Sequence, residues 1–369
     1  MKYCCIHCKK CWSHPVEKCI FCGREITQIK ETRYKVIGYT EVFIPSTGNE
    51  KVPYFVNLLE DSKGHKIFQK SFQKYDLEKV IDLKEYTVHD QHVGVVGSGL
   101  MGIQLAAYMI QYGFPTVLKT RSEDSKNVAY AKIQKNISKR MSEEEVQKSL
   151  RRLTISTDYS DLVNCDLIIE AIAEDIILKK EIFKELSRVC KPAAIFSTNS
   201  SSLSIDELAG MTDRPDKCIG MHFFNPVHRM DLVEVVIGTA TSEPTKSSII
   251  ELVVKLNKKP IIVKNSPGYI VNRLLLPQIN EAIHILEEGI ATKEDIDSAV
   301  KMGLHHPMGP FELADFIGLD ICLSILNVLY KKFDNPKYKP SRLLETMVAD
   351  GKLGFKSGEG FYVYGGKTV

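Results

Sequence analysis

Hydrophobic and polar positions change period along the chain, and the changes divide it into parts. From Tyr34 to about Ile81 apolar residues alternate with polar ones in stretches such as YKVIGYTEVFI, YFVNLL and HKIF, broken by PSTGN and DSKG. A period of two bounded by turn residues predicts strands of a small antiparallel barrel. Residues 82–91 are short and polar and read as a linker. Val93, Val95 and Val96 then form a β-branched run suited to a central parallel strand. A helix is predicted from about Leu100, a second strand over 116–120, and a charged helical stretch over 127–152. The run DLIIEAIAE at 166–174 predicts a buried strand followed by a helix over 175–189, and IFSTNSSS from Ile195 repeats the plan. A last strand is expected at 260–264, with a boundary at Ser266-Pro267-Gly268. Beyond it Leu275, Ile279, Ala282 and Leu286 share one helical face and Gly289 supplies a stop. Thr292 and Asp295 cap a further helix, and amphipathic segments follow over 311–330 and 341–350. The pattern predicts an α/β domain followed by an all-α domain, preceded by a small β module.

Gly97, Gly99 and Gly102 stand between the first α/β strand and its helix as G-x-G-x-x-G. The first glycine permits a tight turn, the second lets a pyrophosphate approach the backbone, and the third lets helix pack on strand. Leu100 and Met101 open the helix, whose free N–H groups and positive dipole end favour phosphate. This is a Rossmann-type dinucleotide site. An acidic residue commonly ends the second strand and grips the ribose 2′-hydroxyl, but Lys119-Thr120-Arg121 stands there. Cations at Lys119 and Arg121 would attract a 2′-phosphate, so the cofactor is NADP or NAD, with the balance toward NADP.

Six of the ten cysteines fall within the first 22 residues. Cys5-x-x-Cys8, ten residues, then Cys19-x-x-Cys22 is the spacing of a four-thiolate zinc site whose role is to fold a segment too small to stabilise itself. Cys8 with Cys11 is an alternative first pair, and iron accepts the same ligands. The expected compartment is reducing and cytoplasmic, since no stretch has the apolar length to cross a bilayer and MKYCCIHCKK lacks the apolar core of a secretory signal. A net charge of +3 over 369 residues implies neither nucleic acid nor an anionic membrane as partner.

Ligands in an open parallel sheet gather at the carboxyl ends of strands, which assigns Glu174, Asn199 and Ser201 to the cleft. GMHFFNP and LVEVV bring His222 and Glu234. Histidine exchanges a proton near neutral pH, and a carboxylate on its other nitrogen sets the tautomer. Lys132, Lys135, Lys139 and Arg140 could meet an anionic substrate handle or form a solvated helix face. His305-His306-Pro307 reads as a positioned turn rather than a metal site.

VGVVGSGLMG, LIIEAIAED, STNSSSLSI, GMHFFNPVHRMDLVEVV, KNSPGYIVNRLLLPQINEA, HHPMGPFELADFIGLD and LGFKSGEGFYVYG occur in that order, and the chain from about His89 to Gly365 resembles the L-3-hydroxyacyl-CoA dehydrogenase family, including its 3-hydroxybutyryl-CoA members. The resemblance implies an acyl-CoA substrate, His222 as catalytic base with Glu234 as its partner, and Ser201 and Asn272 holding the reacting oxygens. It further implies that Glu174, Lys179, Asn225 and Lys356 line the cofactor pocket, and that the helical domain caps the cleft and forms a homodimer. Thr120 departs from the family's usual acidic residue. The first 85 or so residues resemble the zinc ribbon and OB-like barrel of acyl-CoA-associated accessory proteins that accompany thiolases and hydratases. A thiolase or enoyl-CoA hydratase is therefore an expected partner. The expected domains are a zinc ribbon at 1–30, an OB-like barrel at 31–86, a Rossmann-type domain at 87–267 and an all-α domain at 268–369. Dehydrogenation of a free hydroxy acid and a non-catalytic acyl-CoA-binding scaffold are the alternative functions.

Overall fold

The β-branched run at Val93–Val96 is a strand with every residue buried, and the three glycines after it turn the chain into the helix Leu100–Gln111. The computed structural model describes residues 2–4, 11–12, 27–29, 33–42, 54–61, 64, 66–71, 77–78, 80–82 and 91–365. The chain divides into two compact units, Met1–Asp90 and Gln91–Val369.

In the first unit β1 (Lys2–Cys4), β2 (Cys11–Trp12) and β3 (Thr27–Ile29) form an antiparallel sheet of order β2-β1-β3. The alternating stretches become β4 (Arg33–Val42), β5 (Tyr54–Asp61), β6 (Lys66–Ser71) and β7 (Val80–Asp82), an antiparallel sheet of order β6-β5-β4-β7. Val36 pairs with Leu59 across β4 and β5, both fully buried, beside a register shift between Val36 and Gly38. Cys5, Cys8, Cys19 and Cys22 and most of the linker lie outside the described residues.

The second unit is built on β8 (Val93–Val96), β9 (Thr116–Lys119), β10 (Leu153–Ser156), β11 (Leu167–Glu170), β12 (Ile195–Thr198), β13 (Cys218–Phe223), β14 (Leu232–Ile237) and β15 (Lys259–Lys264). They form one sheet of order β10-β9-β8-β11-β12-β13-β14-β15. All neighbours run parallel except β13 and β14. The chain leaves β8 toward β9 and β10, then returns to the other side of β8 at β11, and this reversal of strand order opens a crevice at the carboxyl ends of β8 and β11.

Helices α1 (Leu100–Gln111), α2 (Glu123–Ser138), α3 (Glu143–Leu150), α4 (Ile176–Val189), α5 (Ile205–Ala209) and α6 (Glu243–Lys255) connect these strands. The charged stretch expected as one helix over 127–152 is α2 and α3, because Ser142 and Glu145 form a capping box that starts a new helix. The strand expected from Asp166, with Glu174 just past its end, stops at Glu170, whose side chain accepts from the backbone N–H of Ile172 at 2.7 Å where the chain turns.

Helices α7 (Val271–Glu287), α8 (Lys293–Leu304), α9 (Pro310–Ile317), α10 (Leu319–Phe333) and α11 (Arg342–Ala349) make the all-α part. Leu276, Ile279 and Ile283 of α7 are fully buried, each contributing about 1.5–3 kcal/mol, while Leu275 and Leu286 pack at the margin of that core. The single amphipathic segment expected over 311–330 is bent by 96° between α9 and α10. Gly318, at φ 106°, adopts the backbone conformation that makes the corner. His305 closes α8 in the left-handed conformation, at φ 55°. Two buried aspartates fasten the tail of the chain. Asp297 accepts from Phe311 N and the Tyr362 hydroxyl, and Asp315 accepts from Phe361 N, Tyr362 N and the Tyr364 hydroxyl. No single helix among the described residues is long and apolar enough to cross a membrane.

The glycines of the strand-to-helix turn make unequal demands. A Cβ on Gly102 would stand 1.8 Å from the carbonyl oxygen of Gly97, whereas one on Gly99 meets nothing within 4 Å. Gly102→Ala is therefore expected to destabilise the protein by at least about 1–3 kcal/mol. Gly99→Ala should leave the thermal melt unchanged, and calorimetry of the two variants checks the contrast.

Candidate active site

A cleft of about 1150 Å³ lies against the glycine turn, lined by Gly97, Ser98, Gly99, Leu100, Met101, Lys119, Thr120 and Arg121, with Ala171, Ile172 and Ala173 on the facing side. Gly97 has φ 112°, and a Cβ there would strike the Ala171 carbonyl oxygen at 2.6 Å, so the turn is closed toward the sheet. At Gly99 it is open. Helix α1 has no side-chain cap and no acidic residue in its first turn, which leaves its N–H groups and dipole for an anion. A tight turn, a bare backbone and an uncapped helix fit the pyrophosphate of a dinucleotide. Gly102 serves from beneath, as the contact that lets α1 pack on the turn.

Thr120 is buried, and its hydroxyl donates to the carbonyls of Ser122 at 3.2 Å and Ser156 at 3.4 Å. The hydroxyl at the usual ribose-binding position is thus engaged by the backbone carbonyls of two other residues. Lys119 Nζ lies 4.2 Å from the centre of the Tyr159 ring. Burial lowers its pKa and the nearby Asp158 carboxylate opposes that shift. Arg121 is exposed on the rim, with Asp124 also on the lining.

The antiparallel pairing of β13 with β14 sets His222 directly opposite Glu234. Both are buried, and His222 Nδ1 is 2.7 Å from Glu234 Oε2. The other carboxylate oxygen accepts from the backbone N–H groups of Ile270 and Val271, each at 3.0 Å, where α7 begins. Since the carboxylate only accepts, Nδ1 carries the hydrogen and Nε2 is left as the basic nitrogen. Phe224 and Tyr269 pack against the imidazole, with ring centres 4.4 and 5.7 Å away. The Tyr269 hydroxyl donates to Leu203 O at 3.1 Å, and burial pushes its phenol up from the ordinary range.

Glu174 gathers the loop that carries Ser201. Its Oε1 accepts from Ser200 Oγ, Ser201 N at 3.0 Å and Ser202 N at 3.2 Å, with the Ser201 hydroxyl farther away at 3.4 Å. Its Oε2 is 3.3 Å from Lys179 Nζ. Burial by itself would raise the Glu174 carboxyl, but the Lys179 charge and the serine donors outweigh it and hold the pKa below the usual value. Lys179 is 1% exposed and bonds both oxygens of Glu170, at 2.7 and 2.8 Å, while Thr198 Oγ1 donates to the same carboxylate at 2.6 Å. Asn272 Nδ2 donates to Ser201 O at 3.3 Å, and Asn199 Oδ1 accepts from Phe223 N at 2.9 Å.

The structure thus joins Glu174, Lys179, Ser201 and Asn272 in one polar network, and Asn199 braces the end of the strand that carries His222. Asn225 is held by Gln104 of α1, whose Nε2 donates to its Oδ1 at 2.8 Å. Lys356 is paired with Asp320 at 2.6 Å and is not among the residues that line the cleft, although Ile321, next to Asp320, is. Glu174, Lys179, Asn199, Ser201 and Asn225 also stand outside the lining of the cleft, around the His222 side of the sheet. Sequence reasoning passed over Glu170, Gln104 and Tyr269. The first two had a signal: a charged or amide side chain inside an otherwise apolar run.

Residues 92–266 match the model of the 3-hydroxyacyl-CoA dehydrogenase NAD binding domain, and residues 268–364 match that of the 3-hydroxyacyl-CoA dehydrogenase C-terminal domain. The chain belongs to the 3-hydroxyacyl-CoA dehydrogenase family. A 3-hydroxybutyryl-CoA dehydrogenase of Clostridioides difficile is 46% identical over 277 residues, which are 74% of this chain and 99% of that protein. The human mitochondrial hydroxyacyl-coenzyme A dehydrogenase is 42% identical over 286 residues, 74% of this chain and 91% of its own. The crystal structure of the (S)-3-hydroxybutyryl-CoA dehydrogenase of Ralstonia eutropha, 43% identical, covers 74% of this chain and 99% of that one with a TM-score of 0.71. In this chain the two matched regions meet where the backbone N–H groups of Ile270 and Val271, at the start of α7, bond Glu234, and the first region is the one matched by the NAD binding domain.

Proposed function

We propose that the protein interconverts a short-chain (S)-3-hydroxyacyl-CoA, such as 3-hydroxybutyryl-CoA, and the corresponding 3-oxoacyl-CoA, with His222 as the general acid and base. The observation that carries this is the buried 2.7 Å contact between His222 Nδ1 and Glu234 in register across β13 and β14. The nicotinamide cofactor, when bound, accepts or supplies the hydride. His222 Nε2 takes the hydroxyl proton during oxidation and returns it to the alkoxide during reduction, while Glu234 balances the imidazolium that forms between those steps. Ser201 and Asn272 donate hydrogen bonds to the reacting oxygens, which limits the charge developing there. Gly97, Gly99, Leu100 and Met101 would hold the cofactor's phosphates on the turn that Gly102 supports from beneath, and Arg121, beside the buried Thr120, would meet its adenosine ribose. Glu174, Lys179, Asn199 and Asn225 would shape the side that receives its nicotinamide half, while Lys356, paired with Asp320, stands off the cleft lining.

A cationic cluster suits the phosphates of CoA. Burial, and then the charges of Arg140, Arg229, Lys258 and Lys139, hold the His228 imidazole below its ordinary pKa. Lys258 is fixed within the cluster by the carbonyls of Val227 at 2.6 Å and Met230 at 2.8 Å.

NADP is the preferred cofactor in this reading, because Thr120 brings no carboxylate to the ribose position and Arg121 stands exposed beside it. The N-terminal unit is a zinc ribbon, held by Cys5, Cys8, Cys19 and Cys22, followed by an OB-like barrel that docks a thiolase or enoyl-CoA hydratase. The cysteine spacing and the alternating strands support it. A homodimer through the helical domain is supported by the exposed Leu274, Ile290, Met302 and Phe316. The cytoplasm is the proposed compartment.

Purified protein is expected to reduce acetoacetyl-CoA, with His222→Gln lowering kcat about a hundredfold or more while cofactor titration is unchanged. A wild-type protein inert on this substrate, or a fully active His222→Gln, overturns the assignment. NADPH should be used in preference to NADH, and Thr120→Asp should shift the ratio toward NADH by about tenfold, equivalent to about 1.4 kcal/mol. An unchanged ratio would remove Thr120 from cofactor choice. Full-length protein should co-purify with a thiolase or hydratase that a variant lacking residues 1–90 does not retain; equal recovery would sink the docking role.

A further inference from the structure

Gln104 sits on α1 just past the glycine turn, within a helix face that is otherwise apolar, and is 8% exposed. Its amide bridges two points of the loop after β13. Val227 N donates to Gln104 Oε1 at 2.7 Å, and Gln104 Nε2 donates to Asn225 Oδ1 at 2.8 Å. A backbone N–H can only donate, so the first bond dictates which end of the glutamine amide faces Val227. Nε2 is then the atom directed at Asn225, and a donor there requires Oδ1 in return. The orientation of both amides follows from one peptide N–H. What remains is Asn225 Nδ2, the amide nitrogen of an exposed residue, with no hydrogen-bond partner among the described residues, in the loop directly after the strand that ends with His222 and Phe223.

We infer that Gln104 is a positioning residue that locks Asn225 as a hydrogen-bond donor to a carbonyl-class oxygen of a ligand bound beside His222. The inference rests on the dehydrogenase reading above and adds a coupling to it. Because α1 also forms the phosphate end of the cofactor site, the same helix that receives the dinucleotide fixes the donor near the reacting carbon. Two oxygens have this chemistry: a carbonyl of the acyl-CoA and the carboxamide oxygen of the nicotinamide.

Two near-isosteric substitutions in the full-length protein test it. Gln104→Glu still accepts from Val227 N but has no donor for Asn225, so the asparagine must turn Nδ2 toward the new carboxylate and present oxygen to the ligand. Asn225→Asp keeps the bond from Gln104 Nε2 and likewise presents oxygen. Binding of NADPH and NADH is measured by fluorescence titration, binding of acetoacetyl-CoA by calorimetry, and turnover by initial rates. Both variants are expected to weaken one and the same ligand by about tenfold or more while the other binds as in wild type. Loss for acetoacetyl-CoA alone identifies the acyl carbonyl, and loss for the nicotinamide cofactor alone identifies the carboxamide. The inference is overturned if Gln104→Glu binds both ligands like wild type. It is also overturned if Gln104→Glu weakens both with a lowered melting temperature while Asn225→Asp weakens neither, since Gln104 would then be only a packing element. Failure of the unmodified protein to turn over acetoacetyl-CoA counts against the functional reading instead, and the titrations still decide the role of Gln104.

Discussion

A single buried carboxylate joins the parts of this protein that matter for its chemistry. Glu234 is 1% exposed and carries three hydrogen bonds, one from the His222 imidazole across the antiparallel strand pair and two from the peptide groups that open α7. A carboxylate without partners at that depth would be too costly to keep ionised, so the pairing register of β13 with β14 and the start of the helical domain both have to be right for it to exist. The N-terminal end of α7 adds a favourable dipole to the two backbone donors. One carboxylate therefore bonds both the imidazole and the first peptide groups of the helical domain.

A second buried group of charges organises the facing side. Glu170, at the end of β11, and Lys179, on α4, are essentially without solvent contact, and breaking such a pair costs about 3–5 kcal/mol because the survivor is left uncompensated. Lys179 also reaches Glu174, which collects the donors of the serine loop. The chain of contacts runs from the middle of the sheet to Ser201 and from there to Asn272 on α7. Its effect is to give an irregular loop a fixed shape, which a site requiring placement within about half an ångström demands.

Much of this was legible in the residues. The strand, glycine turn and helix from Val93 to Gln111 fell where the period and the glycines placed them. The errors have local causes. One charged stretch became two helices because Ser142 and Glu145 restart the ladder, and the segment expected over 311–330 turned a corner because Gly318 took a positive φ. Neither break interrupts the hydrophobic pattern, which is why periodicity alone passed over both.

What the sequence determined by itself was the class of each segment and the kind of chemistry available. Local steric preference and apolar periodicity act over a few residues, and the glycine spacing, the histidine and the carboxylates are written in order along the chain. What only the tertiary structure decided was pairing. His222 and Glu234 meet because β13 and β14 run antiparallel in one particular register. Gln104 reaches Asn225 across 121 positions, and Lys179 is divided between two carboxylates. Lys356 is turned to Asp320 instead of the cleft lining. Hydrogen bonds and ion pairs of this kind depend on distances of a few tenths of an ångström between segments remote in sequence. Only the packed sheet and helices set those distances.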